Sequence, residues 1–237
     1  MQFKANVFLS LLAILVLWLL LSLGNWQLDR AQEKQNLLDL QSSRMNLNPT
    51  PLSTVDLGQD NLRYLPVRVS GKLDGQQQIL IDNQVKHGLT GYFVLTPLKL
   101  SDGNAILLNR GWVPLGDNRS VLPDIQTDVV DISVIGILDH FPSVGIKLEG
   151  ADVLSANWPA VTQVIDIKNV AERLGYKVLP YQLLLNSHEP NGYDRDWVPM
   201  RMGPEKHHGY AFQWFALSVT WVIIYLVLTI KLTRRKE

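Results

Sequence analysis

Two adjacent histidines, His207 and His208, stand at the mouth of an uncharged apolar run and are the side chains of this chain best placed to do chemistry. Pro204 and Glu205 precede them as a helix start does, with proline at a first helical position and an acid in the first turn. The positive end of the helix dipole and a low-dielectric surrounding both disfavour imidazolium there. Neutral imidazole is the form that ligates a metal. Helical phase separates the pair. Ala211, Trp214, Ser218, Trp221 and Tyr225 share the side of His207, whereas Phe212, Phe215, Val219 and Val222 share the side of His208. Small and weakly polar residues favour helix–helix contacts, and bulky apolar ones favour lipid.

His207 is therefore expected to point into a two-helix interface, or at a ligand beside it, and His208 toward headgroups. In the first apolar run, Trp18, Ser22 and Asn25 form the expected matching stripe. An inward imidazole among small and aromatic residues suits axial ligation of a flat hydrophobic macrocycle such as haem. A plain hydrogen bond from His207 to the first run is the structural alternative.

Other chemistry-bearing residues are less pointed. His188, Glu189 and Asp194 lie in the turn-rich "SHEPNGYDRDW", where charged residues are ordinary. A membrane-anchored hydrolase would need them, but no serine, histidine and acid set stands out. His87 and His140 are isolated and lack zinc-site spacing. "LNRGWVP" (Leu108 to Pro114) reads as a strand ending in a sharp bend at Arg110, Gly111 and Trp112. No phosphate-loop, dinucleotide-binding or nucleophile-elbow pattern is present. There is no cysteine, which removes disulfides, thiolate metal sites and covalent haem attachment together.

The elements that must position these residues follow from hydropathy. The runs 7–23 and 210–230 carry no charge and approach the roughly 20 residues that cross a bilayer as a helix. The first exceeds a usual signal-peptide core and lacks an Ala-x-Ala site, so it is expected to be a retained anchor. Lys4 at one end and Lys231, Arg234, Arg235 and Lys236 at the other place both termini in the cytoplasm by the positive-inside rule. The 22 basic and 22 acidic residues of the chain balance, so the segment between the spans is net acidic. It is expected in the periplasm of a bacterium. Zero net charge argues against nucleic acid as a partner.

The expected organisation is 1–26 as cytoplasmic N-terminus and first span, and 27–61 as helical extension and linker. A β-rich domain follows at 62–203, then a second span at 204–230 and a basic tail at 231–237. Alternating apolar residues predict strands in "YLPVRVSGKL", "QQILID", "YFVLTPLKL", "AILLNRGWV", "DVVDISVIGIL" and "LPYQLLLNS", with "NQVKHGLTG" as a loop. "DIKNVAERLGY" predicts a helix capped by Asp166, with Val170 and Leu174 on one face and Gly175 at its end. The fold class is a membrane protein, two transmembrane helices flanking an α+β, mainly antiparallel β, domain or partly closed barrel.

Three motifs in order carry a resemblance. "LGNWQLDRAQEK" (Leu23 to Lys34) resembles a Gly-x-Trp-Gln-x-x-Arg signature. "LLNRGWVP" (Leu107 to Pro114) resembles Asn-Arg-Gly-Trp-Val-Pro. "PEKHHGYAFQWFAL" (Pro204 to Leu217) resembles Pro-x-x-His-x-x-Tyr-Ala-x-Gln-Trp-Phe. All three are signatures of the surfeit-locus (SURF) assembly factors for haem–copper cytochrome c oxidase, and the resemblance spans the whole chain. It implies a non-enzymatic factor that handles haem a between haem a synthase and cytochrome c oxidase subunit I. It implies His207 as the haem-associated histidine. On that basis Tyr210, Trp214 and Trp221 are expected beside the macrocycle, and the domain is expected to dock on a partner through Arg110, Gly111 and Trp112. A cofactor-free scaffold for oxidase subunits is the alternative.

Overall fold

The computed structural model describes residues 2–59, 61–116, 118–197 and 203–234. It divides into two compact units, one made of the two ends of the chain (1–40 and 198–237) and one made of the middle (41–197). The end of the predicted domain at 198–202, and Arg235 to Glu237 of the basic tail, lie outside the described residues.

The first unit is a helix pair. Helix α1 (Gln2–Met45) is continuous through the first apolar run and the polar extension after it. The extension has strong helix formers and no Gly or Pro between Trp26 and Met45, so nothing stops the helix at the end of the run. At 1.5 Å per residue its 44 residues reach about 66 Å. The C-terminal helix, Pro204–Arg234, is helix α3 in chain order. Both helices are long and apolar enough to cross a membrane.

The middle unit is a mixed sheet with one helix. Its strands are β1 (Thr50–Pro51), β2 (Pro66–Leu73), β3 (Ile79–Lys86), β4 (Leu89–Lys99), β5 (Ala105–Pro114), β6 (Val130–Asp139), β7 (Ala160–Thr162) and β8 (Val178–Leu185); helix α2 is Ile167–Leu174. The spatial order is β1-β2-β6-β8-β5-β4-β3-β7. A further β2–β4 contact at Lys72–Lys99 and Leu73–Leu98 closes five of the strands into a ring. Most neighbours are antiparallel, as predicted. The β1–β2, β3–β7 and β5–β8 pairs are parallel, so the sheet is mixed.

Where the structure departs from the sequence reading, the reason is local. The predicted loop "NQVKHGLTG" is a tight hairpin: β3 runs on to Lys86, paired with Leu89 of β4. His87 and Gly88 form its two-residue turn with φ of 52° and 77°, the doubly positive geometry that matches strand twist. The predicted linker before Leu62 supplies β1, and Leu52 joins the core around Val67, Val69, Ile106 and Leu183. Helix α2 forms as predicted. The Asp166 carboxylate accepts from the amides of Lys168 and Asn169 at 2.9 and 3.1 Å, and Val170 and Leu174 are buried.

Candidate functional site at the head of the helix pair

His207 lies one turn into α3, and its Nδ1 is 2.9 Å from Oε1 of Gln27 on α1. Around it the helices meet through small residues. Ala31 and Ala211 are fully buried, and Gly24 lies so close to Phe215 that a Cβ there would fall 2.6 Å from ring carbon Cε1. Further along the pair, Nε1 of Trp221 donates to the carbonyl of Ala13 at 3.0 Å, and the hydroxyls of Ser10 and Tyr225 are 2.7 Å apart. Ser218 is buried on the same face, its hydroxyl donating back to the Trp214 carbonyl at 2.9 Å.

The face predicted for α3 is the contact face, with one exception: Phe215, expected on the lipid side with His208, packs against Gly24. The stripe predicted for α1 is not. Trp18 is 65% exposed, and Ser22 and Asn25 point the same way. The contact stripe is Ser10, Ala13, Gly24, Gln27 and Ala31, in which small residues dominate. Close backbone approach needs small side chains, and polarity at the rim of the run was the wrong guide. His208 is exposed, with Phe212 and Val219 on its flank.

The other predicted site residues separate. Tyr210 is exposed, one turn beyond His207 and off the contact face; Trp214 is half-buried two turns on. Trp221 is fourteen residues from His207, about 21 Å along the axis, and its ring nitrogen is committed to Ala13. It holds the helices together and is too distant to flank a ring carried by His207. The interface is closed by Phe215 against Gly24 and by Trp221 against Ala13, so a macrocycle would lie on the outer flank of the pair rather than between its helices.

The donor set decides what kind of metal fits. Among the described residues no three His, Cys, Asp or Glu side chains gather at one point. Such a cluster is what a bare zinc-type ion asks for. A metal already held by a macrocycle asks only for an axial group, and His207 can supply one.

In the domain, the predicted docking residues are inside. Arg110 is 4% exposed and Trp112 is 6% exposed on β5. The Arg110 guanidinium donates to the Asn191 carbonyl at 2.8 Å and to Oε1 of Gln78 at 3.1 Å, and it lies over the Tyr193 ring. Burial beside neutral acceptors lowers its pKa from the ordinary arginine value. Among the described residues Arg110 forms no salt bridge. Trp112 donates to the Gln84 carbonyl at 2.8 Å, and its backbone bridges to Asp194. Gly111 has φ +118, and a Cβ would fall 2.8 Å from the Asp194 carbonyl oxygen. These side chains cannot touch a partner directly. They seat the segment 186–195, which Arg195 gathers from the other side through the carbonyls of Asn186, Ser187 and Glu189. Of His188, Glu189 and Asp194, Glu189 accepts from the Ile135 amide and Asp194 is paired with Lys86, so both carboxylates are engaged in structure.

Sequence reasoning missed Gln27. Its signal was available: with Gly24 and Ala31 it forms a small-polar-small stripe at helical spacing.

A helix pair formed from the two ends of the chain, long and apolar enough to cross a membrane, and a closed mixed sheet encoded by the sequence between them define a membrane protein with one central domain. Residues 14–219 match the SURF1 family, and the chain belongs to it. It is 24% identical over 225 residues to a SURF1-like protein of Rickettsia felis, covering 92% of this chain and 95% of that one. It is 26% identical over 212 residues to Surfeit locus protein 1 of Rattus norvegicus, covering 82% of this chain and 67% of the rat one. With the human Surfeit locus protein 1 it shares 32% identity over 123 residues, 45% of this chain.

Proposed function

We propose that this chain is a membrane assembly factor for haem–copper cytochrome c oxidase that carries haem a as cargo on His207. In this reading haem a synthase supplies the cargo and oxidase subunit I receives it. The observation that carries the reading is the posture of His207. One ring nitrogen faces an oxygen of the partner helix, and the other remains for the iron. Haem iron is commonly held by one histidine in this posture. A single axial bond, with no cysteine for covalent attachment, allows release as well as capture. The ring would rest against the outer flank of α3, where Trp214 and Tyr210 are within reach and Trp221 is not. The central domain would lie in the periplasm with both termini in the cytoplasm, and would meet the oxidase subunit through the segment that Arg110, Gly111 and Trp112 seat.

The test is expression in cells that make haem a, purification in detergent, and absorbance spectra of wild type, His207→Ala and His208→Ala. Haem in wild type and His208→Ala but not in His207→Ala is expected. Equal haem in all three would sink the ligand role. A cofactor-free scaffold is favoured by the same 2.9 Å contact, read as one of the bonds that join the helices. Haem in none of the three proteins would select it.

A further inference from the structure

We infer that Gln27 is the positioning residue of His207: it fixes the proton on Nδ1 and leaves Nε2 as the one basic nitrogen of the ring. An amide oxygen can only accept a hydrogen bond. Oε1 of Gln27 lies 2.9 Å from Nδ1, so Nδ1 carries the hydrogen and the lone pair is at Nε2. Gln27 is 9% exposed, and Gly24 and Ala31, one turn to either side of it on α1, bring the backbones close. The contact is part-buried, and with the amide oxygen facing the ring, exchanging the tautomer would set lone pair against lone pair. The orientation of the ring is thus decided on the helix that does not carry it.

The chemical type of the acceptor matters as much as its place. Metal-ligating histidines commonly give their other N–H to a carboxylate or a carbonyl, and a carboxylate raises ligand basicity. Gln27 offers a neutral oxygen. It aligns the imidazole without placing a charge beside it, which suits a group that must let go of its ligand. The ligand side of this inference rests on the haem reading above; the tautomer side does not.

The experiment uses the full chain in detergent, labelled with ¹⁵N-histidine, as wild type, Gln27→Leu, Gln27→Glu and His207→Ala. The ring nitrogens of His207 are read by NMR without ligand, and hemin is then titrated by absorbance. Wild type is expected in the Nδ1–H form. Gln27→Leu should lose that preference and bind hemin about 10- to 100-fold more weakly, the usual loss when such a partner is removed. Gln27→Glu should keep the tautomer and bind hemin more tightly than wild type. A wild-type His207 in the Nε2–H form overturns the inference even if no variant folds. So does a Gln27→Leu protein with the wild-type tautomer, or a Gln27→Glu protein with weakened hemin binding. If hemin binds wild type and His207→Ala alike, the haem reading fails while the tautomer still decides the role of Gln27.

Discussion

Alanine in place of Gly24 sets two opposing effects against each other at the helix contact. The new Cβ would lie 2.6 and 2.7 Å from Cε1 and Cζ of Phe215. Carbon atoms ordinarily rest about 3.5–4.0 Å apart, so the ring or the helices must give by about 1 Å. Overpacking of this kind costs about 1–3 kcal/mol. Alanine in a helix interior is in turn favoured over glycine by about 0.8–1 kcal/mol. The net in the wild-type background is a loss of about 0–2 kcal/mol. In a Phe215→Ala background the obstruction is gone and the helix preference remains, so the same substitution should stabilise by up to about 1 kcal/mol. The signature is a reversal of sign, with a coupling energy of about 1–3 kcal/mol between the two positions. It is measured by reversible unfolding of the four proteins in mixed micelles, with sodium dodecyl sulfate as denaturant and helix content followed by circular dichroism. The same effect of Gly24→Ala in both backgrounds would refute the close contact. A 1 Å separation also stretches the His207–Gln27 bond from 2.9 Å to about 3.9 Å, past hydrogen-bond range.

Other expectations follow from the domain and the ends. Gly111→Ala should cost about 2 kcal/mol or more, because alanine is strained at φ +118 and its Cβ meets the Asp194 carbonyl; chemical denaturation of the full chain in mild detergent measures it. Arg110→Lys should destabilise the domain more than Arg110→Met. Lysine keeps the buried charge but loses the fork that reaches Asn191 and Gln78 together, and the reverse order of the two midpoints would contradict that account. The Asp194 carboxylate is held below the ordinary aspartate pKa by its hydrogen bond from Lys86. Its contribution is therefore complete above the unfolded aspartate pKa and is lost as pH falls through the lower folded value. Asp194→Asn should flatten the acid limb of a stability–pH curve by less than about 1 kcal/mol, since the Asp194 side chain is 41% exposed and solvent screens it. A periplasm-active reporter fused at Glu237 should stay silent, and activity there would reverse the proposed orientation.

What could be read from the sequence depended on how rigidly each feature ties residues to space. The contact face of α3 was legible because one helix carries it, and 3.6-residue periodicity fixes Ala211, Ser218 and Trp221 relative to His207. The matching face of α1 was not, since a nearly uniform leucine run has no apolar side to prefer, and Trp18 drew the stripe to the wrong one. The strand β5 was legible as buried because Ala105 to Trp112 has few polar positions, and those few, Asn109 and Arg110, are satisfied by Gln182, Asn191 and Gln78. Neither β1 nor β7 could be seen. They have two and three residues and take their conformation from the strands they pair with. The parallel β5–β8 contact joins residues far apart in the chain, and no local pattern encodes it. Arg110 looked like a surface residue by type, and only its packing against Tyr193 placed it inside.

The bond from Trp221 to Ala13 makes the length of α3 a functional quantity. Each helical residue turns the chain by about 100°. The anchor at Trp221 and the imidazole at His207 therefore face the same way only because the count between them is right. One residue inserted between them would swing His207 a quarter-turn or more away from Gln27, with every side chain still present. Seven inserted residues would restore the bearing to within about 20° while moving the imidazole two turns along the axis. Either insertion should thus break the His207–Gln27 bond, the first by bearing and the second by height, a dependence on residue count that no point substitution would expose.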